Sequence, residues 1–277
     1  MNNHFYESME RKINFQREYN KLEELITCEE IYTHSGKYSI NTWIEINFRA
    51  WKKKKNYISF AELRDHLGFN VYKNYDGFSF QASNIDINRY LLFCEMIFNI
   101  SIDLGIMESE FQEQFNDVIG LVSANLELLG LEWKTVSGEM IIVEKNAAAI
   151  EAATIEPTLA DAITEYNQYL LKGNLGRKKE LLFNLIRGLE PYRNELKNSY
   201  KGLSDDFFFL ANKLDIRHNN VNPADKSDYY EIVANLSCVE LEEWYDLIYE
   251  QGLILILLLH QKERTERISV FKRKLGE

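Results

Sequence analysis

Seven consecutive apolar residues, LILILLL at positions 253–259, constrain the fold of this chain more than any other segment. A run of this length falls well short of the about 20 residues that a helix needs to cross a bilayer, so no membrane association is expected. An uninterrupted apolar run is instead typical of a helix at the centre of a bundle. The sequence therefore predicts a long helix, opened by a capping box of Ser237 and Glu240, whose apolar run is buried on all sides.

The helical period of 3.6 residues continues through residues 158–277. One predicted helix carries five apolar side chains on a single face: Leu181, Leu182, Leu185, Ile186 and Leu189. Further helix starts are expected at Thr158, Ser204 and either Asp225 or Ser227, whose side chains can cap an N-terminus. Several helices joined by short turns are typical of a bundle. We expect this part of the chain to form a helical bundle with an exposed, basic C-terminal tail.

Residues 1–155 are predicted to form a helical region with one small β-hairpin. The hairpin is indicated near residues 133–143, where two runs of β-prone residues flank the turn Ser137-Gly138. A helix is predicted from Tyr38 to Lys55, and the aromatic stretch from Asn70 to Ser83 is expected to be a loop. The predicted fold class is mainly α, with a candidate domain boundary between this region and the bundle.

The net charge of −11 argues against broad, nonspecific binding of nucleic acid, which needs an extended basic face, but permits a small local basic site. Cys28, Cys94 and Cys238 are odd in number and far apart. Neither a disulfide framework nor a zinc site is therefore predicted, and reduced thiols indicate a cytoplasmic protein. Phosphate-binding glycine loops, dinucleotide fingerprints, zinc-protease motifs and serine-hydrolase motifs do not occur. We expect neither a metal nor a cofactor.

The densest positive cluster is Lys52, Lys53, Lys54 and Lys55, which follows Trp51. Basic side chains beside aromatic rings can hold the phosphates of single-stranded nucleic acid while the rings stack on its bases. Cations are also typical of the C-terminal end of a helix, where they complement the helix dipole. The cluster is thus a candidate nucleic-acid contact or a solvated helix end, and the sequence leaves both interpretations open.

The stretch LDIRHNNVNP, residues 214–223, places an arginine, a histidine and three asparagines after an apolar helix. The guanidinium of Arg217 could bind a phosphate through two hydrogen bonds and stabilise charge that develops on it. The imidazole of His218 could exchange a proton with a ribose hydroxyl near neutral pH. The same residues also suit a helix C-terminus, where cations bond to the last carbonyls and asparagine adopts turn conformations.

This stretch, within its predicted bundle, resembles the HEPN superfamily (higher eukaryotes and prokaryotes nucleotide-binding domains). The signature of that family is an arginine separated by four to six residues from a histidine. Arg217 and His218 match its beginning, whereas positions 222–224 hold Asn, Pro and Ala where the histidine would fall. The resemblance covers residues 158–262 and implies that Arg217 faces a phosphate. It also implies that His218 replaces the missing base or that Asn222 occupies the place of that base.

Many proteins of this superfamily are all-α, metal-independent RNases of toxin–antitoxin, abortive-infection and CRISPR systems, with composite sites formed by two protomers. Others are noncatalytic interaction or nucleotide-binding modules. The resemblance therefore implies a bacterial or prophage protein that acts on or binds RNA in antiviral defence or a toxin–antitoxin pair, with a homodimer expected. The missing histidine and the acidic net charge keep open a noncatalytic helical module that binds a protein partner.

Overall fold

The computed structural model describes residues 13–28, 30–34, 36–69, 71–74, 77–80, 82–106, 109–224 and 227–275. The chain divides into two compact units, residues 1–142 and 143–277. Helices dominate both units, so the predicted mainly-α class is confirmed. The sequence suggested a domain boundary between residues 155 and 158, whereas the two compact units meet between residues 142 and 143. None of the helices in the described part has the length and apolar character needed to span a bilayer.

The first unit combines short hairpins with five α-helices in its described part. Its elements are α1 (Phe15–Thr27), β1 (Glu30–Thr33), β2 (Gly36–Ser39), α2 (Ile40–Asn47), α3 (Phe60–His66), β3 (Val71–Asn74), β4 (Gly77–Phe80), α4 (Ile87–Asp103), α5 (Gln112–Leu129), β5 (Leu131–Val136) and β6 (Glu139–Glu144), the last of which runs into the second unit. The strands form three two-stranded sheets among the described residues. The sheet predicted near residues 133–143 is therefore present, and two more were not predicted.

The segment expected to be a loop, Asn70 to Ser83, contains the paired strands β3 and β4, so that prediction is wrong. Their register pairs Val71 with Phe80 and Asn74 with Gly77, and residues 75 and 76 between the strands lie outside the described residues. The sequence Asp76-Gly77 is a strong signal for a tight hairpin turn, and it stands between two β-prone runs. The helix predicted from Tyr38 to Lys55 is also shorter than expected. Ser39 caps its start by accepting a hydrogen bond from the Thr42 amide at 3.2 Å, and α2 ends at Asn47, where the 3₁₀-helix Phe48–Ala50 follows.

A buried ion pair lies in the core of the first unit. Arg64 is fully buried, and its guanidinium donates hydrogen bonds to both carboxylate oxygens of Glu23 and to the hydroxyl of Tyr19. The same guanidinium lies 5.5 Å from the ring centre of Phe60 and 5.1 Å from that of Phe93. Burial, followed by the adjacent Glu23 carboxylate, raises the pKa of the Tyr19 phenol. The aromatic core is therefore organised around one charged pair that water does not reach.

Helices joined by turns and loops make up the described residues of the second unit after β6. Its α-helices are α6 (Ala147–Ile155), α7 (Ala160–Tyr166), α8 (Leu175–Leu189), α9 (Arg193–Ser199), α10 (Lys201–Lys213), α11 (Glu231–Ala234) and α12 (Cys238–Leu275), and 3₁₀-helices occupy Pro157–Leu159, Tyr169–Leu171 and Glu190–Tyr192. Ser204 was predicted to cap a helix, but it is buried inside α10, so that prediction is wrong. The helix expected after Asp225 or Ser227 is reduced to the single turn α11.

Helix α12 carries the core of the second unit, because α6, α8 and α10 all pack against it. The predicted capping box opens this helix, since Ser237 Oγ accepts a hydrogen bond from the Glu240 amide at 3.2 Å and the Glu240 carboxylate accepts one from the Ser237 amide at 2.9 Å. Leu253, Leu255 and Ile256 are buried, as the apolar run predicts. Ile254, however, is 45% exposed, so the prediction of a run buried on all sides is wrong.

The buried pair in the first unit gives a test of what organises its core. Replacing Arg64 by Met leaves the Glu23 carboxylate buried without its cation, and we expect the free energy of unfolding to fall by about 3–5 kcal/mol. The double variant Arg64→Met/Glu23→Leu should recover most of that loss, because no unpaired charge remains. Urea unfolding followed by tryptophan fluorescence measures both. The control is Lys21→Met, which removes a half-exposed ion pair with Glu18 on the helix that also carries Glu23. It should lower the free energy of unfolding by less than about 1 kcal/mol. Equal losses in all three would contradict the interpretation.

Candidate functional site

The stretch that contains the predicted catalytic residues is a loop between α10 and α11, and Asn220 holds it in shape. Asn220 is fully buried. Its side-chain oxygen accepts a hydrogen bond from the Asp215 amide at 2.9 Å, and its side-chain nitrogen donates one to the Asp228 carbonyl at 2.7 Å. The Asn220 carbonyl also accepts from the Tyr230 amide at 2.9 Å. One asparagine therefore ties together the beginning and the end of the loop, a role that the sequence analysis did not assign.

Asp215 fixes the start of the same loop. Its backbone has a φ of 57°, a left-handed conformation that aspartate tolerates better than most residues. Its carboxylate accepts a hydrogen bond from the Asn220 amide at 3.1 Å and pairs with the Lys179 ammonium at 2.6 Å. The loop is thus anchored to helix α8 through Lys179, and this anchoring sets where the following residue pair, Arg217-His218, emerges.

Arg217 lies beside an acidic residue that the sequence analysis did not select. Its guanidinium donates a hydrogen bond to one carboxylate oxygen of Glu190 at 3.1 Å, and Arg193 donates to the other oxygen at 3.0 Å. Arg217 is partly buried, and its backbone amide bonds to the Ala211 carbonyl at 3.3 Å. The guanidinium of Arg193 also lies 4.6 Å from the ring centre of Phe208. Two arginines from separate segments therefore hold one carboxylate between them.

His218 and Asn222 do not join this cluster through hydrogen bonds. Both side chains are exposed. The side-chain oxygen of Asn222 accepts a hydrogen bond from the Ala224 amide at 3.0 Å, which is a local turn interaction. Among the described residues, the contact that fixes the Arg217 guanidinium comes from Glu190. The structure therefore brings Arg217, Arg193 and Glu190 together and leaves His218 and Asn222 at the solvent-facing side of the loop.

The lysine cluster of the first unit is partly neutralised by its neighbours. Lys53 lies 3.1 Å from the Asp103 carboxylate and 3.6 Å from that of Glu139. Lys54 donates a hydrogen bond to the carbonyl of Arg49, at the end of the preceding 3₁₀ turn. Lys52 and Lys55 are exposed. The indole of Trp51 donates to the same Asp103 carboxylate at 2.8 Å, which fixes the orientation of this ring.

A buried lysine forms a second ionic cluster in the bundle. Lys178 is nearly inaccessible, and its ammonium lies 2.7 Å from the carboxylates of both Glu242 and Asp246. The hydroxyl of Tyr166 donates to the Asp246 carboxylate at 2.9 Å. Burial, followed by the charge of Asp246, raises the pKa of the Tyr166 phenol. This cluster cross-links α7, α8 and α12, and all its donors and acceptors face one another, which is the arrangement of a structural ion pair.

The described part of the bundle also contains an acidic groove of 610 Å³. Among the residues that line it are Glu151, Glu156, Glu195, Glu266 and His260. Four carboxylates around one imidazole would repel a phosphate, so this groove does not suit an RNA backbone. In the part of the chain that the structure describes, no three His, Cys, Asp or Glu side chains converge in a way that could hold a metal ion.

Comparison of the chain with protein-family models, with curated proteins and with solved structures finds no match. The resemblance to HEPN proteins stays a prediction, and the function has to be argued from the geometry of the residues themselves.

The role of Asn220 can be tested by stability. Replacing Asn220 by Ala leaves the Asp215 amide and the Asp228 carbonyl without partners in a buried position, so we expect the free energy of unfolding of the second unit to fall by about 2–3 kcal/mol. Chemical denaturation followed by circular dichroism measures this loss. The matched control is Asn222→Ala on the same loop, where an exposed side chain should change the stability by less than about 0.5 kcal/mol. Equal effects of the two variants would show that the loop does not depend on Asn220.

The Lys178 cluster makes stability depend on pH. Burial alone would raise the pKa of Glu242, but hydrogen bonds from Lys178 and the Gly173 amide hold it below its ordinary value. The resulting stabilisation is complete above the unfolded-state pKa of about 4.3 and is lost as the pH falls through the lower folded-state pKa. Denaturation between about pH 5 and pH 3 should therefore show a steeper loss of stability for the wild type than for Glu242→Gln. The exposed neighbour substitution Glu243→Gln should leave the wild-type slope unchanged.

Proposed function

We propose that the second unit binds RNA through a phosphate that occupies the position of the Glu190 carboxylate, as part of a HEPN-like bundle. The observation that carries this proposal is the pair of guanidiniums, Arg193 and Arg217, that hold one carboxylate from opposite oxygens. An RNA phosphodiester likewise carries one negative charge shared by two oxygens, and arginine is the side chain best matched to such a pair of acceptors. The Arg193–Glu190–Arg217 cluster is therefore an anion site that contains its own anion.

Because the Glu190 carboxylate already occupies the site, RNA binding depends on its displacement. An RNA phosphate has to displace this carboxylate, which is partly exposed and belongs to a 3₁₀ turn containing Pro191. The net charge of the cluster without RNA is close to that of a single arginine, so binding is local rather than spread over a basic face. This agrees with the acidic net charge of the whole chain, −11, which disfavours a long nonspecific contact.

Binding is favoured over cutting by the surroundings of the site. Cleavage of RNA without a metal requires a group that takes the proton from the ribose 2′-hydroxyl. His218 is the imidazole nearest in sequence to Arg217, and it is exposed and lies outside the hydrogen-bonded cluster. Asn222 has no titratable group and is engaged in a local turn. As the catalytic extension of the proposal, His218 would act as this base when RNA is bound, and the setting would be bacterial defence or a toxin–antitoxin pair in the cytoplasm.

The proposal predicts opposite effects for two neighbouring substitutions. Arg217→Gln should weaken the binding of a labelled single-stranded RNA by about tenfold or more, because a charge-assisted hydrogen bond to phosphate is lost. Glu190→Gln should tighten it several-fold, because the competing carboxylate is removed. Fluorescence anisotropy at two salt concentrations measures both, and the salt dependence of Arg217→Gln should be weaker by about one phosphate contact.

Arg187→Gln is the matched control, because this exposed arginine ends helix α8 without contacting Glu190 in the described structure. It should bind RNA as the wild type does. Equal affinity for Arg217→Gln and the wild type would remove the proposal. Incubation of the RNA with protein in the presence of a chelator separates cutting from binding, and cleavage that disappears in His218→Ala would establish the catalytic extension.

A second candidate function is a noncatalytic helical module that binds a protein partner. It is favoured by the carboxylate of Glu190, which neutralises one guanidinium of the cluster, and by exposed apolar side chains on α12, among them Ile254 and Phe271. This function would be favoured over the first if neither the wild type nor any variant binds RNA, and if the protein forms a stable assembly of defined stoichiometry with a protein partner.

A further inference from the structure

The last part of helix α12 lies outside the core of the second unit. Arg264 pairs with Glu151 of α6 at 2.6 Å, and in the described part of the chain it is the last residue of α12 that forms an ion pair with another helix. Every residue from 265 to 275 is exposed. The side-chain hydrogen bonds in this part, such as that from Ser269 to the Thr265 carbonyl at 3.0 Å, stay within the helix. We call residues 265–275 the exposed segment.

The exposed segment carries a narrow apolar stripe. Ile268, Phe271 and Leu275 are 54%, 61% and 63% exposed. Because successive helical residues are rotated by about 100°, this spacing places all three side chains within about 60° of one another. Val270 is also apolar and exposed, but it lies about 160° from Ile268, on the opposite side of the helix. The stripe is therefore a small apolar surface that the bundle leaves uncovered.

Basic residues border the stripe on both sides. Lys272 lies about 40° from Ile268 on one side, and Arg267 lies about 40° and Lys274 about 60° from Phe271 on the other side. The exposed segment contains four basic residues and one glutamate, so its net charge is +3, whereas that of the whole chain is −11. The positive charge of this acidic protein is thus concentrated around an apolar stripe.

We propose that the exposed segment binds the surface of a membrane that contains anionic lipids. Apolar side chains on one helix face can enter the boundary between headgroups and acyl chains, while Lys and Arg beside them extend to the negative headgroups. RNA phosphates would neutralise the same cations but would leave Ile268 and Leu275 uncovered. Two exposed segments packed against each other would bring like charges together. An anionic bilayer is the surface that satisfies both the stripe and its basic borders.

This contact lies on the membrane surface and does not cross the bilayer. The exposed segment is about 16 Å long, which is shorter than the hydrocarbon core of a bilayer, and a helix of this kind lies in the plane of the interface. The sequence analysis expected no membrane association because it considered a spanning helix. The exposed segment does not include Arg217, so the proposal is independent of the RNA site.

Cosedimentation of the full chain with vesicles tests the stripe. The wild type should bind vesicles of phosphatidylcholine mixed with phosphatidylserine at least about tenfold more tightly than vesicles of phosphatidylcholine alone, and added salt should weaken the binding. Phe271→Ser should weaken it by about fivefold or more, because an apolar side chain no longer enters the interface. Val270→Ser is the matched control on the opposite side of the helix, and it should stay within about twofold of the wild type.

The basic borders are tested by removing single charges. Lys272→Gln should weaken the binding to the mixed vesicles by about fivefold, which is typical of one basic residue near an anionic surface. Lys52→Gln removes the same charge from an exposed position in the first unit, and it should bind as the wild type does. Unfolding temperatures close to that of the wild type show that each variant is folded, as expected for exposed positions.

Three results would overturn the proposal. The first is a wild type that stays in the supernatant at all concentrations of the mixed vesicles. The second is equal vesicle binding by the wild type and Phe271→Ser, since another surface then makes the contact. The third is a wild type that ignores vesicles while Phe271→Ser weakens RNA binding or dissociates a dimer, which would assign the exposed segment to RNA or to a second copy. Arg217→Gln should bind the vesicles normally, which separates this test from that of the RNA site.

Discussion

The close packing of one face of α12 is the constraint on which the second unit depends. At Gly252 a Cβ atom would lie 2.7 Å from Leu185 of α8 and 3.3 Å from Phe207 of α10, so glycine is the residue that allows these helices to meet. Helix α8 leads directly into the 3₁₀ turn that carries Glu190, and α10 leads into the loop that carries Arg217. The helix contacts at Gly252 therefore set the distance across which the carboxylate and the two guanidiniums meet.

The sequence predicts those parts of this structure that are determined locally. The capping box at Ser237 and the mainly-α class depend on a few neighbouring residues, and the structure confirms them. The contact between Arg217 and Glu190 spans 27 residues, and no sequence pattern near either residue predicts it. The sequence likewise did not predict that Asn220 anchors the loop, because the burial of this residue depends on the conformation of the whole loop. Polar residues in a loop look alike in sequence whether they face solvent or hold the loop together.

The first unit shows the same division between local and distant causes. The turn signal Asp76-Gly77 was available in the sequence, but the aromatic residues around it favoured an irregular surface loop, and the hairpin was missed. The pair formed by Arg64 and Glu23 spans 41 residues and has no local signature. An arginine on an amphipathic helix is ordinarily solvated, so its complete burial depends on the aromatic rings and the carboxylate that converge on it from other elements.

The distribution of charge along α12 also bears on the stability of the helix itself. At 38 residues the helix is about 57 Å long. The charges at both ends interact favourably with the helix macrodipole: the first turn holds the acidic Glu240, and the last turn holds the basic Lys272, Arg273 and Lys274. Such charges stabilise both ends of the helix by local means, whereas its middle is stabilised by packing against α6, α8 and α10.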